Sequence, residues 1–445
     1  MLFFRIFLRQ KAGIQKKHVF LHIQPITHHI TIMNKRQTLI LLFTLLSVIT
    51  IAQQAPMRIW DDKPATFFEE SMPLGNGKLG ALVYGGTEVN TILLNDITLW
   101  TGQPVDQTED EGASRWIAPI REALFHEDYA LADSLQRHVQ GHNSQFYQPL
   151  ATLHIDNRQT APVSGYRRTL DIDSALCHDQ YMQGGTTIRR EYFTSHPDQC
   201  FAMRMTSDRR GAIRCDIRLT SLVPHSTRAS DGQLTLMGHA VGDPRHSIHF
   251  CGILTAKSTD GEVWATDSTL HIDGATDVVL YFVDETSFNG ARQHPVAQGA
   301  PYIEKAADDA WHLVNYTWEE LRQRHVADYR QYYARMSLHL SGSVEDTSLT
   351  TARQLRNYTD QGNANPYLET LYMQFGRYLL ISCSRTEGVP ANLQGLWTPH
   401  LYSPWRGNYT VNINLEENYW PAEVANLGEM TMPLNRFVAS LAENG

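Results

Sequence analysis

The densest run of side chains able to do chemistry lies between residues 390 and 423. Asn392, Gln394, Asn408, Asn412, Asn414 and Asn418 are interleaved there with Trp397, Tyr402, Trp405, Tyr409, Tyr419 and Trp420. A carboxamide presents donors and acceptors side by side, and an aromatic face stacks on the C–H face of a saturated ring. Together they suit a neutral polyhydroxylated ligand, a sugar, better than an anion. A loop knotted by its own amides and plugged by its aromatics is the plainer alternative. That alternative suffices for any single Asn or Trp; for the whole cluster a ligand site is the better account. Cleaving a glycosidic bond requires a carboxylic acid at the leaving group and a base or nucleophile on the opposite face. Glu416, Glu417 and Glu423 are the only carboxylates in the run. Glu416 and Glu423 share a face if the stretch is helical, although capping or pairing with neighbouring helices is the simpler role for them.

Other chemistries find no support. Residues 73–86 hold five glycines in fourteen positions, yet no Gly-Lys-Ser/Thr follows and no dinucleotide fingerprint is completed. Glycines there let strands turn tightly and approach another backbone. No nucleophile elbow, Ser-His-Asp order or His-Glu-x-x-His motif occurs. The 20 histidines are scattered, so neither a metal site nor a cofactor is expected.

The elements that must carry these residues fall into two kinds. Between about Trp60 and Phe288 short strands alternate with turns. Phe201, Met203 and Met205 alternate with Ala202, Arg204 and Thr206, and Cys215, Ile217 and Leu219 with Asp216, Arg218 and Thr220. Period-two runs predict half-buried strands, and residues 278–283 read as a fully buried one. Turn pairs such as Asp231-Gly232 and Asp273-Gly274 separate them. This predicts a large β-sandwich, with one helical insert at residues 117–140. Residues 301–335 then show helical spacing through Trp311, Val314, Trp318 and Leu321. Asn365-Pro366 reads as an N-cap and first helical residue, followed by Leu368, Leu371, Phe375 and Leu379 on one face. Leu434, Phe437, Val438 and Leu441 repeat the pattern.

Charge and length bound the setting. All 47 acidic residues lie after position 52, whereas seven of the 38 Lys and Arg residues (Arg5, Arg9, Lys11, Lys16, Lys17, Lys35 and Arg36) lie before it. The remainder is therefore more acidic than the overall net charge of −9, and nucleic acid is not an expected partner. Met33 reads as the true start, with Lys35-Arg36 before an uncharged run of 14 residues, 38–51, and small residues Thr50 and Ala52 before Gln53. That is a signal-peptide pattern, too short for the ~20 residues that span a bilayer, so no stable membrane insertion is expected. The protein is thus expected to be periplasmic or secreted, from a Gram-negative bacterium. Its five cysteines (Cys177, Cys200, Cys215, Cys251 and Cys383) are spaced for neither zinc nor a disulfide scaffold, and one bridge within 177–251 stays open.

Several of these runs also carry a resemblance. Residues 72–81 (MPLGNGKLGA), 94–100 (LNDITLW), 147–150 (YQPL), 190–195 (REYFTS) and 325–329 (HVADY) resemble the N-terminal β domain and linker of glycoside hydrolase family 95. Residues 390–397 (PANLQGLW) and 412–423 (NINLEENYWPAE) resemble that family's barrel signature. The resemblance implies a β + α multidomain chain. Residues 1–52 form a leader and signal peptide, 53–300 the β-sandwich, 301–344 a helical linker, and 345–445 the first part of an (α/α)6 catalytic barrel. It implies an inverting exo-glycosidase of α-L-fucosidase type, acting on an oligosaccharide or polysaccharide. Asn412 and Asn414 match the asparagines that position the nucleophilic water. Thr410, Gln394, Trp397, Trp405, Tyr419 and Trp420 are the expected substrate-binding residues. Thr410 replaces a His that fucosidases of the family tend to carry, leaving room for the extra hydroxyl of an α-L-galactosyl group. A twelve-helix barrel needs roughly 200 residues or more, and about 100 follow Val344. The general acid and base are therefore expected outside this chain. A non-catalytic fragment with residual glycan binding, or less readily a glycoside phosphorylase, are the alternatives.

Overall fold

The computed structural model describes residues 57–104, 111–141 and 143–444; the expected leader and signal segment lies outside them. The described chain runs through β1 (Arg58–Asp61), the hairpin β2 (Met72–Gly75) and β3 (Leu79–Val83), and β4 (Val89–Asp96). Helices α1 (Ile117–Phe125) and α2 (Tyr129–Gln136) precede β5 (Ala151–Asn157). Strands β6 (Val163–Asp171), β7 (Leu176–Gln183), β8 (Thr186–Ser195), β9 (Cys200–Ser207) and β10 (Ile213–Thr220) follow. Then come β11 (His225–Ser230), β12 (Gln233–His239), β13 (His249–Ser258), β14 (Glu262–Thr266), β15 (Thr269–Ala275) and β16 (Asp277–Thr286).

These strands build two antiparallel sheets, one of nine strands ordered β1-β6-β7-β8-β9-β16-β13-β12-β11 and one of seven ordered β14-β15-β10-β5-β4-β3-β2. The alternation in β10 does what its pattern requires: Ile213, Cys215, Ile217 and Leu219 are buried, while Arg214 and Arg218 are exposed. Strand β9 departs from its half-buried expectation. Ala202 on its supposedly polar face is also fully buried, because helices pack over that side of the nine-stranded sheet. The helical insert is two helices rather than one. It breaks at His126–Asp128, where Glu127 turns left-handed (φ 57°) and the Asp128 carboxylate caps α2 by accepting from Leu131 N.

The helical part begins with α3 (Tyr302–Leu313) and α4 (Trp318–Tyr333). A Thr317/Glu320 capping box starts the second of these and divides what the spacing alone reads as one segment. Ala306, Ala310, Leu313, Trp318 and Leu321 cover Phe193, Cys200, Ala202 and Tyr281 of the sheet. Within α4, His325 is buried, stacks on Phe193 at 4.8 Å between ring centroids and lies 3.0 Å through Nε2 from the Ala175 carbonyl. Burial pushes its pKa down from 6.5 to about 4. The unfolded chain therefore takes up a proton near pH 6.5 that the folded chain refuses until near pH 4. Stability is complete above 6.5 and falls as pH drops toward 4. About 2 kcal/mol is expected to be lost between pH 7 and pH 5 from this residue. Chemical denaturation at the two pH values should show a smaller difference in His325→Gln; an unchanged difference would refute the assignment.

Four more helices follow: α5 (Thr351–Gln361), which the sequence patterns did not single out, α6 (Pro366–Cys383), α7 (Asn414–Tyr419) and α8 (Pro421–Val424). The last is α9 (Met432–Asn444). Helix α6 starts as expected, with Pro366 first and the Asn365 side chain accepting from Leu368 N. Its buried face differs from the apolar stripe. Tyr367, Thr370, Leu371, Gln374, Tyr378 and Ile381 are buried, whereas Leu368, Phe375 and Leu379 are only partly so. Tyr378 turns inward because its hydroxyl donates to the Pro73 carbonyl at 2.5 Å. The C-terminal end of α6 meets the β2–β3 hairpin, where Gly77 N donates to Ser382 O at 2.7 Å. A Cβ at Gly75 would overlap that same carbonyl oxygen. Gly75→Ala is expected to cost about 1–3 kcal/mol through this backbone clash, seen as a lowered midpoint of urea unfolding. The glycine-rich run thus works by close approach of two backbones.

All five cysteines are buried and free, which closes the question of a bridge within 177–251. Among the described residues no helix is long and apolar enough to cross a membrane.

Candidate functional site

The amide-and-aromatic run forms a loop ahead of α7, and the β-domain clamps it. Asn95, at the end of β4, donates through Nδ2 to Thr398 O at 3.0 Å and accepts from Thr398 N at 3.2 Å. The Tyr147 hydroxyl donates to Leu396 O at 2.6 Å, and Tyr147 N donates to Arg406 O at 3.0 Å. Trp100 stacks on Tyr409 at 5.1 Å, and Phe437 of α9 meets the same ring at 4.6 Å. The loop therefore has sandwich side chains on one side and α9 on the other. In sequence the 94–100 and 147–150 runs carry only the resemblance; as clamps they act on residues about 250 to 300 positions away, which leaves no local signal of contact.

The aromatic candidates divide by exposure. Trp397 is buried at 7% exposure and donates its indole N–H to Leu74 O at 2.8 Å. Tyr419, 5% exposed, sits through its hydroxyl 2.7 Å from Ser384 Oγ and accepts from Ala391 N at 2.9 Å. Both pin the loop. By contrast Trp405 and Trp420 are 78% and 64% exposed, leaving their faces open to a ring. Trp405 and Arg406 stand in the left-handed region (φ 47° and 62°), and Arg406 is held over the Phe146 ring at 4.2 Å. Positive φ at two successive non-glycine residues is costly and persists only where surroundings enforce it.

The amides divide likewise. Gln394, Trp397 and Asn418 line one groove of about 470 Å³ with Phe375, Leu379 and Leu393. Gln394 Oε1, in this groove, and Asn392 Nδ2, outside its lining, are both buried without a partner among the described residues. Thr410, Asn412, Asn414, Trp405, Tyr419 and Trp420 do not line that groove, so the structure does not gather every expected site residue in one place. Thr410 is left-handed (φ 49°) and donates its hydroxyl to Asn408 Oδ1. Asn408 Nδ2 in turn donates to Ser144 Oγ at 3.3 Å. Asn412 is exposed and Asn414, the first residue of α7, is half-buried. No hydrogen bond engages either side-chain amide among the described residues, which leaves both able to hold a water or a sugar hydroxyl. Glu416 and Glu423 fall on two short helices divided at Trp420, and Glu416 Oε2 is buried without a partner. Among the described residues no group of three or more His, Cys, Asp or Glu is arranged to hold a metal.

Comparison with known proteins agrees with this layout. Residues 59–291 match the family model described as glycosyl hydrolase family 65, N-terminal domain. Residues 317–445 match the one described as glycosyl hydrolase family 95 catalytic domain. Both describe glycoside hydrolases, one covering the two-sheet domain and the other the helical part. The chain belongs to glycoside hydrolase family 95. It is 29% identical over 420 residues to alpha-L-fucosidase 2 of Arabidopsis thaliana, covering 88% of this chain and 49% of that protein. It is 31% identical over 415 residues to a probable alpha-fucosidase A of Aspergillus niger, covering 86% and 50%. The chain thus spans about half the length of the curated relatives it matches. Among solved structures, a putative kojibiose phosphorylase from human microbiome aligns at 10% identity with a TM-score of 0.42, over 77% of this chain and 45% of that one.

Proposed function

We propose that this chain supplies the β-sandwich, the linker and the opening of an (α/α)6 barrel to an exported, inverting exo-glycosidase. Its substrates are terminal α-L-fucosyl groups and, through Thr410, α-L-galactosyl groups of glycans. The observation that carries the reading is the pair Asn412 and Asn414, whose side-chain amides stay unengaged where a loop fixed from both sides enters α7. In this reading they orient the attacking water. A carboxylate takes its proton, and a second, protonated carboxyl serves the leaving group. Trp405 and Trp420 offer faces for sugar rings, while Gln394 and its groove bind hydroxyls.

The test follows the anomeric proton by NMR during hydrolysis of an α-L-fucosyl oligosaccharide, using a form that spans the full length of the relatives. The first-formed product should be β-L-fucose, and the 445-residue chain alone should bind the sugar without turning it over. Release of α-L-fucose first, or no release of either sugar, defeats the reading. Thr410→His should lower galactosyl turnover relative to fucosyl turnover by roughly tenfold. The larger side chain would refill the space for one hydroxyl, and a site that only tolerates a hydroxyl discriminates on that scale. Steady-state rates on the two matched glycosides measure it.

A further inference from the structure

A second recess lies on the outer face of the nine-stranded sheet and shares no residue with the loop at 390–423. It is a trough of about 560 Å³ floored by β6, β7, β8 and β9, with Arg58 of β1 and Trp318 of α4 also lining it. Its floor is polar and charged, and most of the charge is already paired. Arg58 binds Glu345 at 2.9 Å, Arg204 binds Asp277 at 2.6 Å, and Arg190 binds Asp179 at 2.6 Å. Glu191 takes Arg322 at 2.8 Å and His178 at 3.2 Å. Asp171 accepts from Asp173 N.

Two guanidinium groups are left over. Among the described residues neither Arg167 nor Arg189 forms an ion pair. Arg167 lies over the Trp60 ring at 3.9 Å, and its Nη2 is buried without an acceptor. Arg189 is exposed. The nearby Asp208 carboxylate feels the Arg189 charge but is engaged by Thr187 N at 2.9 Å. The sheet register sets the two arginines on one row: Arg167 pairs with Gln180, Gln180 with Arg189, and Arg189 with Thr206. Directly paired residues point to the same face, and neighbouring strands are about 4.8 Å apart. Arg167 and Arg189 therefore stand about 10 Å apart, with the Gln180 amide between them.

We propose that this trough binds an acidic oligosaccharide, with Arg167 and Arg189 each taking one of its carboxylate or sulfate groups and the Gln180 row taking hydroxyls. A guanidinium fork matches a planar carboxylate bidentately and brings both geometry and charge. Two forks one strand apart from a common neighbour address two acidic groups on one chain, which a lone anion cannot satisfy. Gln180, Thr169 and Thr206 add donors and acceptors suited to sugar hydroxyls. A single-stranded nucleic acid would want exposed aromatic faces for its bases. The two tryptophans here, Trp60 and Trp318, are 7% and 6% exposed, so that platform is missing. The trough relies on membership of a glycoside hydrolase family for its saccharide class and not on the catalytic reading of Asn412 and Asn414.

The test is calorimetric titration of the purified chain with a hexamer of galacturonic acid, a neutral hexasaccharide of equal length and a single-stranded oligonucleotide. The acidic hexamer should bind at least tenfold tighter than the neutral one, weaken as salt is added, and outcompete the oligonucleotide. Arg189→Gln should cost roughly tenfold in acidic-hexamer affinity with no change in melting temperature, because Arg189 is exposed and unpaired; Arg167→Gln should do the same or more. Equal affinity for acidic and neutral hexamers, unaltered binding in Arg189→Gln, or oligonucleotide binding as tight as the uronate would overturn the proposal.

Discussion

Lys78→Met is expected to lower the free energy of unfolding by 3 to 4 kcal/mol, roughly the lower part of the range for breaking a buried ion pair. Lys78 projects from the glycine-rich hairpin into a nest of acids. Its ammonium donates to the Asp284 carbonyl at 2.5 Å and to Glu285 Oε1 at 3.0 Å, with Asp96 Oδ2 3.4 Å away. The Lys78 side chain keeps 20% exposure while Asp96 has none, which is why the upper part of the range is not expected. Burial alone would depress the Lys78 pKa; Asp284, Asp96 and Glu285 more than reverse that and hold it above the ordinary lysine value. Stability from Lys78 is therefore complete below its ordinary pKa and lost as the solution becomes strongly alkaline.

Asp284 behaves in the opposite way. Its carboxyl is pushed well above the carboxylate range by burial, reinforced by Asp96 beside it, although Lys78 opposes the shift. Neither carboxyl oxygen accepts a hydrogen bond among the described residues, whereas Asp96 Oδ1 accepts from Thr98 N and from the Thr98 hydroxyl. Asp284 is thus the carboxyl whose neutral form this nest favours. A raised carboxyl pKa means that stability falls as pH rises through the interval above 3.8. Asp284→Asn, which mimics the neutral acid, should therefore unfold at pH 7 with a free energy equal to or above that of the parent. Lys78→Met should fall far below it. If Asp284→Asn were the more damaging change in urea unfolding, the assignment of protons in this nest would be wrong.

None of this nest is visible in sequence. Lys78 reads as one polar residue among glycines, and its partners come from positions 96, 284 and 285. What local pattern conveys is the alternation of β10 and the cap and proline that start α6, because each depends on residues close in sequence. It fails where a distant element decides. The inward row of β9 is legible, but burial of Ala202 on its other face needs helices that begin a hundred residues later. In α6 the apolar stripe Leu368, Phe375 and Leu379 is real. The helix nevertheless turns Tyr378 inward for the Pro73 carbonyl and leaves Phe375 and Leu379 of that stripe along the open groove. The site shows the same limit. Residue type marks Trp397, Trp405, Tyr419 and Trp420 alike as sugar-stacking candidates. Only the hydrogen bonds of Trp397 and Tyr419 to distant groups distinguish anchors from open faces.

Asn412→Ala and Asn414→Ala are each expected to reduce kcat by roughly 10²–10⁴-fold, equivalent to about 3–5 kcal/mol, in a form of the protein that releases sugar. An oriented water is needed only as the bond to the anomeric carbon forms, so the loss belongs in kcat, with KM moving little. On the proposed reading the two amides hold one water and would act as a unit. The double variant should then cost little more than either single change, rather than the product of the two. Stability provides the control. Neither amide makes a hydrogen bond to the described protein; Asn412 ends a loop already fixed by Trp100, Tyr147 and Phe437, and Asn414 opens α7. Melting temperatures should therefore match the parent. A purely structural role would show the reverse pattern, a lowered melting temperature with kcat kept within a fewfold of the parent. A fall confined to KM would make the pair sugar-binding residues instead of water-positioning ones, because such a loss would be equal in the ground state and the transition state.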